Sequence, residues 1–335
     1  IWAARRVPDD HVVVIANYFR IREVDPKSPD VLTSPNFMKE AVNRGWYDPK
    51  SGRPFVWQEA YAPAIMEGNL SRMWLITSSL APSLKAWPRR ALADASGPRT
   101  LYAQPFEGAA FYPYSFKPEK KITVQDIIAF QRSAFENTIY DMTWDPAWMV
   151  PGGSGRLEKS PMASPYISGE MEKVLRIRHH RTIAGQGYGM VAQLRSWLPD
   201  AVGGIYWFYV DNPMVGPYVP IYAGATDVSP LYKSYDFREF SEDSARWAYD
   251  FVEKLMLLRW QPALKDVQAA RDPVESGFFA EQVAVDAKAA AMFKTDPSGA
   301  AKYLTELTVK RMEKLVDLYR ALRKTLLTKY TGDGV

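Results

Sequence analysis

The 335 residues carry 42 Lys and Arg against 38 Asp and Glu, a net charge of +4 with the signs interspersed, and no cysteine. This balance excludes the concentrated basic face of a nucleic-acid binder, and the missing thiols exclude disulfides, thiolate metal sites and a cysteine nucleophile within the chain. The longest apolar run, near residues 201–210, is about half a membrane span, so the 47% hydrophobic content belongs to a folded core.

The chain opens Ile-Trp-Ala-Ala-Arg-Arg, without an initiator Met, a charged n-region or an apolar h-region, and reads as entered in mid-structure. Residues 1–6 and 12–21 are strand-like, and Val7-Pro8-Asp9-Asp10 between them has the residues of a tight turn, which predicts an N-terminal hairpin. Val12, Val13, Val14 and Ile15 are consecutive and apolar, so burial on both faces is expected. Asn17 interrupts that strand. Its amide must find partners or cost about 1–3 kcal/mol, either by bonding neighbouring backbone or by presenting a carboxamide to a substrate or an oxyanion.

From 23 to 120 the signals are mixed. Ser34 is a good N-cap with Pro35 at the first position of a helix ending near Arg44, and residues 70–80 carry apolar positions at helical spacing. The aromatic-rich stretch 103–117 reads as a loop wrapping a core. Thr123 caps a helix over 124–135, and 137–168 is a long irregular connection. Residues 174–183 predict a strand, and 190–198 a short helix stopped by Pro199.

The stretch 203–224 predicts a hairpin of strands 205–210 and 217–223 around Asp211, Asn212, Pro213 and Gly216. Both faces of its first strand are apolar, so cover on both sides is expected. Pro220 cannot donate to a ladder and assigns its strand to an edge or a bulge. Beyond Ser229 the pattern turns helical. Ser241 caps a helix through Trp260 ended by Pro262, a second covers 274–293, and Asp296-Pro297 opens a third. In that third helix Leu304, Leu307, Leu315, Leu318, Leu322 and Leu326 form a stripe expected to pack on the body of the same protein.

The usual catalytic signatures are missing. Gly185-Gln186-Gly187-Tyr188-Gly189 has the wrong spacing for a phosphate loop, and no Gly-x-Ser-x-Gly elbow occurs. His179 and His180 are adjacent, and neighbouring side chains in a strand point to opposite faces, so no metal site and no cofactor are expected. His11 at its turn reads as solvated. Arg181 and Arg195 flank the segment before the hairpin and are either surface ion pairs or bidentate clamps on a carboxylate.

The run 181–224, RTIAGQGYGMVAQLRSWLPDAVGGIYWFYVDNPMVGPYVPIYAG, with Ser229-Pro230 and FSEDSARWAYDFVEKL after it, resembles the PepD-like cysteine dipeptidases of the N-terminal-nucleophile (Ntn) hydrolase superfamily. So do WAARRVPDDHVVVIANYFRI near the start and NTIYDMT at 137–143. The resemblance implies an α+β fold, a four-layer αββα sandwich that is partial here and needs an N-terminal portion, with a C-terminal helical extension. Residues 1–230 would form the C-terminal portion of the sandwich, with inserted loops and helices over about 23–170, and 231–335 a helical region packed on it. Family members hydrolyse dipeptides with a cysteine at the mature N-terminus, whose thiol attacks while its α-amine serves as base. That cysteine would lie ahead of Ile1, on a separate chain or a removed segment. By resemblance Asn17 matches the asparagine near the oxyanion, and Arg195, in preference to Arg181, the site arginine. Where many relatives have Thr or Ser with His or Tyr before Gln-Leu-Arg, this chain has Gly187-Tyr188-Gly189. The partners implied are the N-terminal portion and a dipeptide, in an oligomeric, exported bacterial protein without a membrane span. A non-catalytic assembly subunit keeping the fold is the alternative, motivated by the absent nucleophile. An aromatic-rich sugar binder rests only on the 13% aromatic content, which core packing explains better.

Overall fold

The computed structural model of the protein describes residues 1–62, 67–84, 112–138, 140–175 and 187–332. The fold is α+β, small antiparallel sheets among helices. Contacts divide the chain into two units, Ile1–Ile122 and Thr123–Val335, so the chain on both sides of residue 230 lies in one unit.

In the first unit β1 (Ala3–Arg5) pairs antiparallel with β2 (Val31–Thr33). This replaces the predicted hairpin of 1–6 with 12–21. The Pro8 turn does form, His11 N donating to Pro8 O, but Val12 makes only an isolated bridge to Phe116. Ser34 secures the alternative pairing by accepting from Trp2 N at 2.8 Å. Asn17, at φ 53°, bends the second segment out of a ladder. Nor is that segment covered on both faces: Val14, Ala16, Tyr18 and Arg20 are buried while Ile15 and Phe19 are exposed, the period of an extended chain with one side covered.

Because the Ser34 hydroxyl serves β1, helix α1 (Phe37–Asn43) starts instead after Asn36, and it ends at Arg44 as predicted. Helices α2 (Trp57–Tyr61) and α3 (Glu67–Leu80) follow, the latter over the predicted stretch. Phe37, Trp57 and Tyr61 pack ring on ring at 5.5 and 4.6 Å between centroids.

The second unit opens with α4 (Val124–Arg132), whose Thr123 and Asp126 form a reciprocal capping box. It stops short of Phe135, which has φ 65°. The long connection holds a hairpin of β3 (Met149–Pro151) with β4 (Leu157–Lys159), and then α5 (Gly169–Leu175). Val174 and Leu175 of the predicted strand are therefore helical, and the rest of it lies outside the described residues.

The predicted helix over 190–198 is corrected. Residues Gly187–Leu194 form β5, with Val191 buried while Tyr188, Met190 and Leu194 are exposed, an alternation only a strand can present. A short turn, α6 (Asp200–Gly203), leads into β6 (Gly204–Asp211) and β7 (Val219–Tyr222), the predicted hairpin, in the order β5-β6-β7. Pro220 sits on the edge strand, opposite Trp207. One sheet face buries Val191, Ile205, Trp207, Tyr209 and Tyr222, with Trp207 stacked on Phe279 at 4.0 Å. On the other face Tyr188, Met190, Leu194 and Tyr206 are exposed, so among the described residues the expected cover is present on one side only.

Helix α7 (Ala245–Met256) is capped by Ser244 in place of Ser241. It ends before Trp260, which begins α8 (Trp260–Thr295). Pro262 therefore opens a helix instead of closing one, because a first turn has no use for the N–H that proline lacks. Helix α8 also runs through Pro273, joining what the sequence divides at 274. Helix α9 (Pro297–Tyr330) starts as predicted, Asp296 accepting from Gly299 N at 2.8 Å. Its stripe is buried in this unit, Leu304 and Leu315 against the sheet and Leu322 and Leu326 against α7 and α8.

Residues 211–220 are all buried. Their carbonyls and amides are met by side chains: Arg132 Nε donates to Pro213 O at 2.9 Å, Arg271 Nη1 to Met214 O at 2.6 Å, and Tyr319 Oη to Val215 O. Glu275 accepts from Tyr218 N at 2.7 Å and pairs with Arg132 at 2.6 Å. Gly216 is required there, since a Cβ would fall 2.7 Å from Val210 O. Glu275→Ala leaves Arg132 as a buried, uncompensated charge and should destabilise by roughly 3–5 kcal/mol, read as a lower urea midpoint.

Candidate functional site

Asn17 lies in the first unit, exposed and left-handed. Its Oδ1 accepts from Arg72 Nη1 at 2.9 Å, which fixes the amide orientation because a guanidinium can only donate. Asn69, buried on the same helix, donates from Nδ2 to Ala16 O at 2.5 Å and Asn17 O at 3.2 Å, holding the bend. The carboxamide NH2 thus faces outward on a braced backbone. That is a hydrogen-bond donor suited to an oxygen carrying negative charge. The expectation that Asn17 sits inside a buried strand is corrected: the bend turns it to the surface.

Arg195 lies in the second unit, just past β5, and is buried. It is in an ion pair, but a buried and internal one, with Asp286 of α8: Nη2 reaches Oδ1 at 3.2 Å and Nη1 bonds Oδ2. Nε donates to Gly203 O at 3.2 Å and Nη2 to Val202 O at 2.8 Å. Tyr222 Oη adds a bond to Asp286 Oδ1 at 2.9 Å. Such a pair ties the end of β5, the turn before β6 and α8 together. Arg181, His179 and His180 lie outside the described residues.

Sequence reasoning treated Asp211 and Asn212 only as turn residues, yet they enter a buried polar cluster of the second unit. Asp211 ends β6 at φ 73°, opposite Gly187 in register, and is 2% exposed. Arg246 Nη2 stands 3.6 Å from Asp211 Oδ1, while Arg246 Nη1 is bonded to Gly187 O at 3.0 Å. Fully buried Asn212 donates to Glu253 Oε1 at 3.0 Å and accepts from Tyr166 Oη at 3.0 Å. Lys254 Nζ is 3.0 Å from Glu253 Oε2 and 3.3 Å from Asp250 Oδ1. Oxygens of Asp211, Asp250 and Glu253 lie within 4.8 Å of one another. Burial, then the charges of Glu253 and Asp250, push the Asp211 carboxyl up from 3.8 to about 7. The signal that could have found this cluster was polar residues, Asp-Asn, directly after six strand residues without a charge.

Two outcomes follow from these geometries. Arg195→Ala, which strands Asp286 in the interior, should cost roughly 3–5 kcal/mol, and Arg195→Ala with Asp286→Ala should recover part of it in a denaturation double-mutant cycle. Because Asp211 is raised, its protonation stabilises the fold below about 3.8 and that contribution is lost as pH rises through about 7. Asp211→Asn, in buffer free of divalent cations, should therefore be neutral near the low end of this window and stabilising above it, by up to roughly 4 kcal/mol. Melting curves across the pH range test the sign.

The comparisons agree on one kind of protein. The family model of Peptidase family C69 matches residues 1–272. A "Probable dipeptidase" of Latilactobacillus sakei is 21% identical over 258 residues, 76% of this chain and 45% of that protein. A "Probable dipeptidase B" of Streptococcus pyogenes serotype M1 is 20% identical over 338 aligned positions, 97% of this chain and 59% of that protein. A "Probable dipeptidase" of Salmonella dublin is 24% identical over 234 residues, covering 68% and 43%. The chain thus spans about half the length of the curated relatives it matches.

Proposed function

From the premise that the chain belongs to peptidase family C69, we propose that it is the C-terminal portion of a dipeptidase-like Ntn amide hydrolase. The observation that carries this is the family match over residues 1–272. Since the 335 residues contain no cysteine, the nucleophilic thiol of this reading comes from polypeptide outside them, as a separate chain or another segment. The thiol attacks the dipeptide carbonyl, its α-amine takes the proton, and the tetrahedral oxyanion is met by preorganised donors.

Two features of the chain support the reading. Asn17 offers an outward NH2 whose oxygen is already held by Arg72. The β5-β6-β7 sheet has helices on one face and exposed Tyr188, Met190, Leu194 and Tyr206 on the other, the condition of a sheet that lacks its facing layer in an αββα sandwich. The remainder of the fold is the partner of this reading.

A second reading, a non-catalytic subunit that keeps the fold for assembly, is favoured by Arg195, whose guanidinium is committed to Asp286 and two carbonyls. One experiment separates them. The purified native assembly is assayed on a panel of dipeptides before and after treatment with a thiol alkylator. The hydrolase reading expects turnover that alkylation abolishes, and an Asn17→Ala assembly slower by roughly one to three orders of magnitude at unchanged stability. Absence of turnover on every dipeptide, or turnover indifferent to alkylation, overturns it.

A further inference from the structure

Arg20 carries a charge that the first unit leaves unbalanced. Burial alternates along the extended segment around the Asn17 bend, which turns Asn17 and Phe19 outward and Tyr18 and Arg20 inward. Arg20 is 7% exposed. Its Nη2 donates to Tyr112 O at 2.8 Å and Pro113 O at 2.5 Å, in the stretch that the Val12–Phe116 bridge brings alongside. Both acceptors are neutral. Among the described residues no carboxylate pairs with this guanidinium, and its buried Nε has no hydrogen-bond partner. The acids closest in the chain and on α2, Glu23 and Glu59, already serve Arg22, at 3.8 and 3.0 Å.

A second buried group in the field of the same guanidinium is also unpartnered. Tyr112 is 7% exposed, and its Oη has no hydrogen-bond partner, whereas that of Tyr114 donates to Arg5 O at 2.6 Å. Removing a charge and a hydroxyl from water without an anion or an acceptor for them is costly. Arg132 in the second unit shows what an acid does in such a place. Burial presses both guanidinium groups downward, but Glu275 lifts Arg132 above the ordinary arginine value, while Arg20 stays below it.

One unmatched guanidinium calls for one negative charge. A phosphate carries nearly two and would need a second free cation, which Arg22, held by its acids, does not offer. A carboxylate fits both the charge and the donors, accepting from the guanidinium and from the Tyr112 hydroxyl. Pro113, whose carbonyl Arg20 holds, is exposed, so the guanidinium lies close beneath the surface. We infer that Arg20 and the Tyr112 hydroxyl form a binding site for a single carboxylate that this chain does not itself supply. Its source is either a side chain or terminus of a polypeptide that completes the fold or a free small carboxylate. The inference follows from the charges of the first unit and holds whether or not the chain serves a hydrolase.

The native protein, with any polypeptide it is purified with, is melted in increasing sodium acetate against NaCl at matched ionic strength, as wild type, Arg20→Lys and Arg20→Gln. Both variants lose the guanidinium fork, and only Lys keeps the charge. A saturable rise in Tm of about 2 °C or more with acetate and none with NaCl, kept in part by Arg20→Lys and lost in Arg20→Gln, assigns a free carboxylate to the site. Where a polypeptide fills it, acetate leaves the wild type unchanged, and Arg20→Gln releases the co-purified chain in size-exclusion chromatography at a salt concentration where Arg20→Lys retains it. Tyr112→Phe removes one hydroxyl and no charge. It should weaken the acetate response, or release the co-purified chain at lower salt than wild type, and it decides the case if both Arg20 variants fail to fold, an unchanged response then overturning the site. The site is equally overturned when acetate and chloride act alike on the wild type while Arg20→Lys and Arg20→Gln release no chain or release it alike, the behaviour of a guanidinium that only braces two carbonyls.

Discussion

Everything in the second unit turns on keeping ten consecutive residues, 211–220, out of water. A connection between strands normally runs over the surface, where solvent meets its polar backbone. This one is covered, so each of its carbonyls and amides needs a donor or acceptor from the protein. Asn212 meets the amides of Met214, Val215 and Gly216 from within the segment, and four side chains on three helices supply further partners: Arg132 from α4, Arg271 and Glu275 from α8, and Tyr319 from α9. The helices are thereby registered to the hairpin by directional bonds, whereas apolar packing alone would let them slide. A buried Arg132–Glu275 pair adds little net stability against well-packed apolar residues, but it fixes which turn of α8 faces the hairpin.

The same logic repeats at the other end of the sheet. Arg195 and Asp286 join the end of β5 to α8 some three helical turns beyond Glu275, and Tyr222 on β7 adds its hydroxyl. Two charge pairs on one long helix, each gripping a different end of the same three strands, set the direction in which α8 crosses the sheet. Trp207, stacked on Phe279 between them, fills the space that this crossing leaves.

Much of this fold was legible. The β6–β7 hairpin, the edge position of Pro220, the Thr123 cap and the leucine stripe of α9 all follow from local signals, and each is where local chemistry and burial agree. Failures occurred where two patterns competed. Residues 190–194 satisfy a short apolar helix, yet pairing with β6 puts Val191 and Gln193 on the buried side and draws them into a strand. Pro262 reads as a stop, but the same missing N–H suits a first turn equally well, and only the neighbouring Trp260, buried under α7 and α9, decides which. The N-terminal hairpin failed because a strand's partner is a tertiary choice: β1 takes β2, thirty residues away, through the Ser34 hydroxyl that the sequence assigns to a helix cap.

The candidate site was legible in residue type more than in role. Asn17 stood out because an amide interrupts an apolar run, and composition could not say that the backbone bends there and turns it outward. Arg195 stood between a surface ion pair and a carboxylate clamp, and nothing local reveals that it is buried against Asp286, ninety-one positions on. Asp211 was missed for the opposite reason: an Asp-Asn pair after a strand is the commonest turn chemistry, and turns are expected in water. What separates this turn from an ordinary one is the cover laid over it by helices far along the chain. Once covered, the same two residues stop being solvated punctuation and become buried polar groups whose partners must be found, which is why a carboxyl raised to about 7 sits at a position that local sequence marks as ordinary.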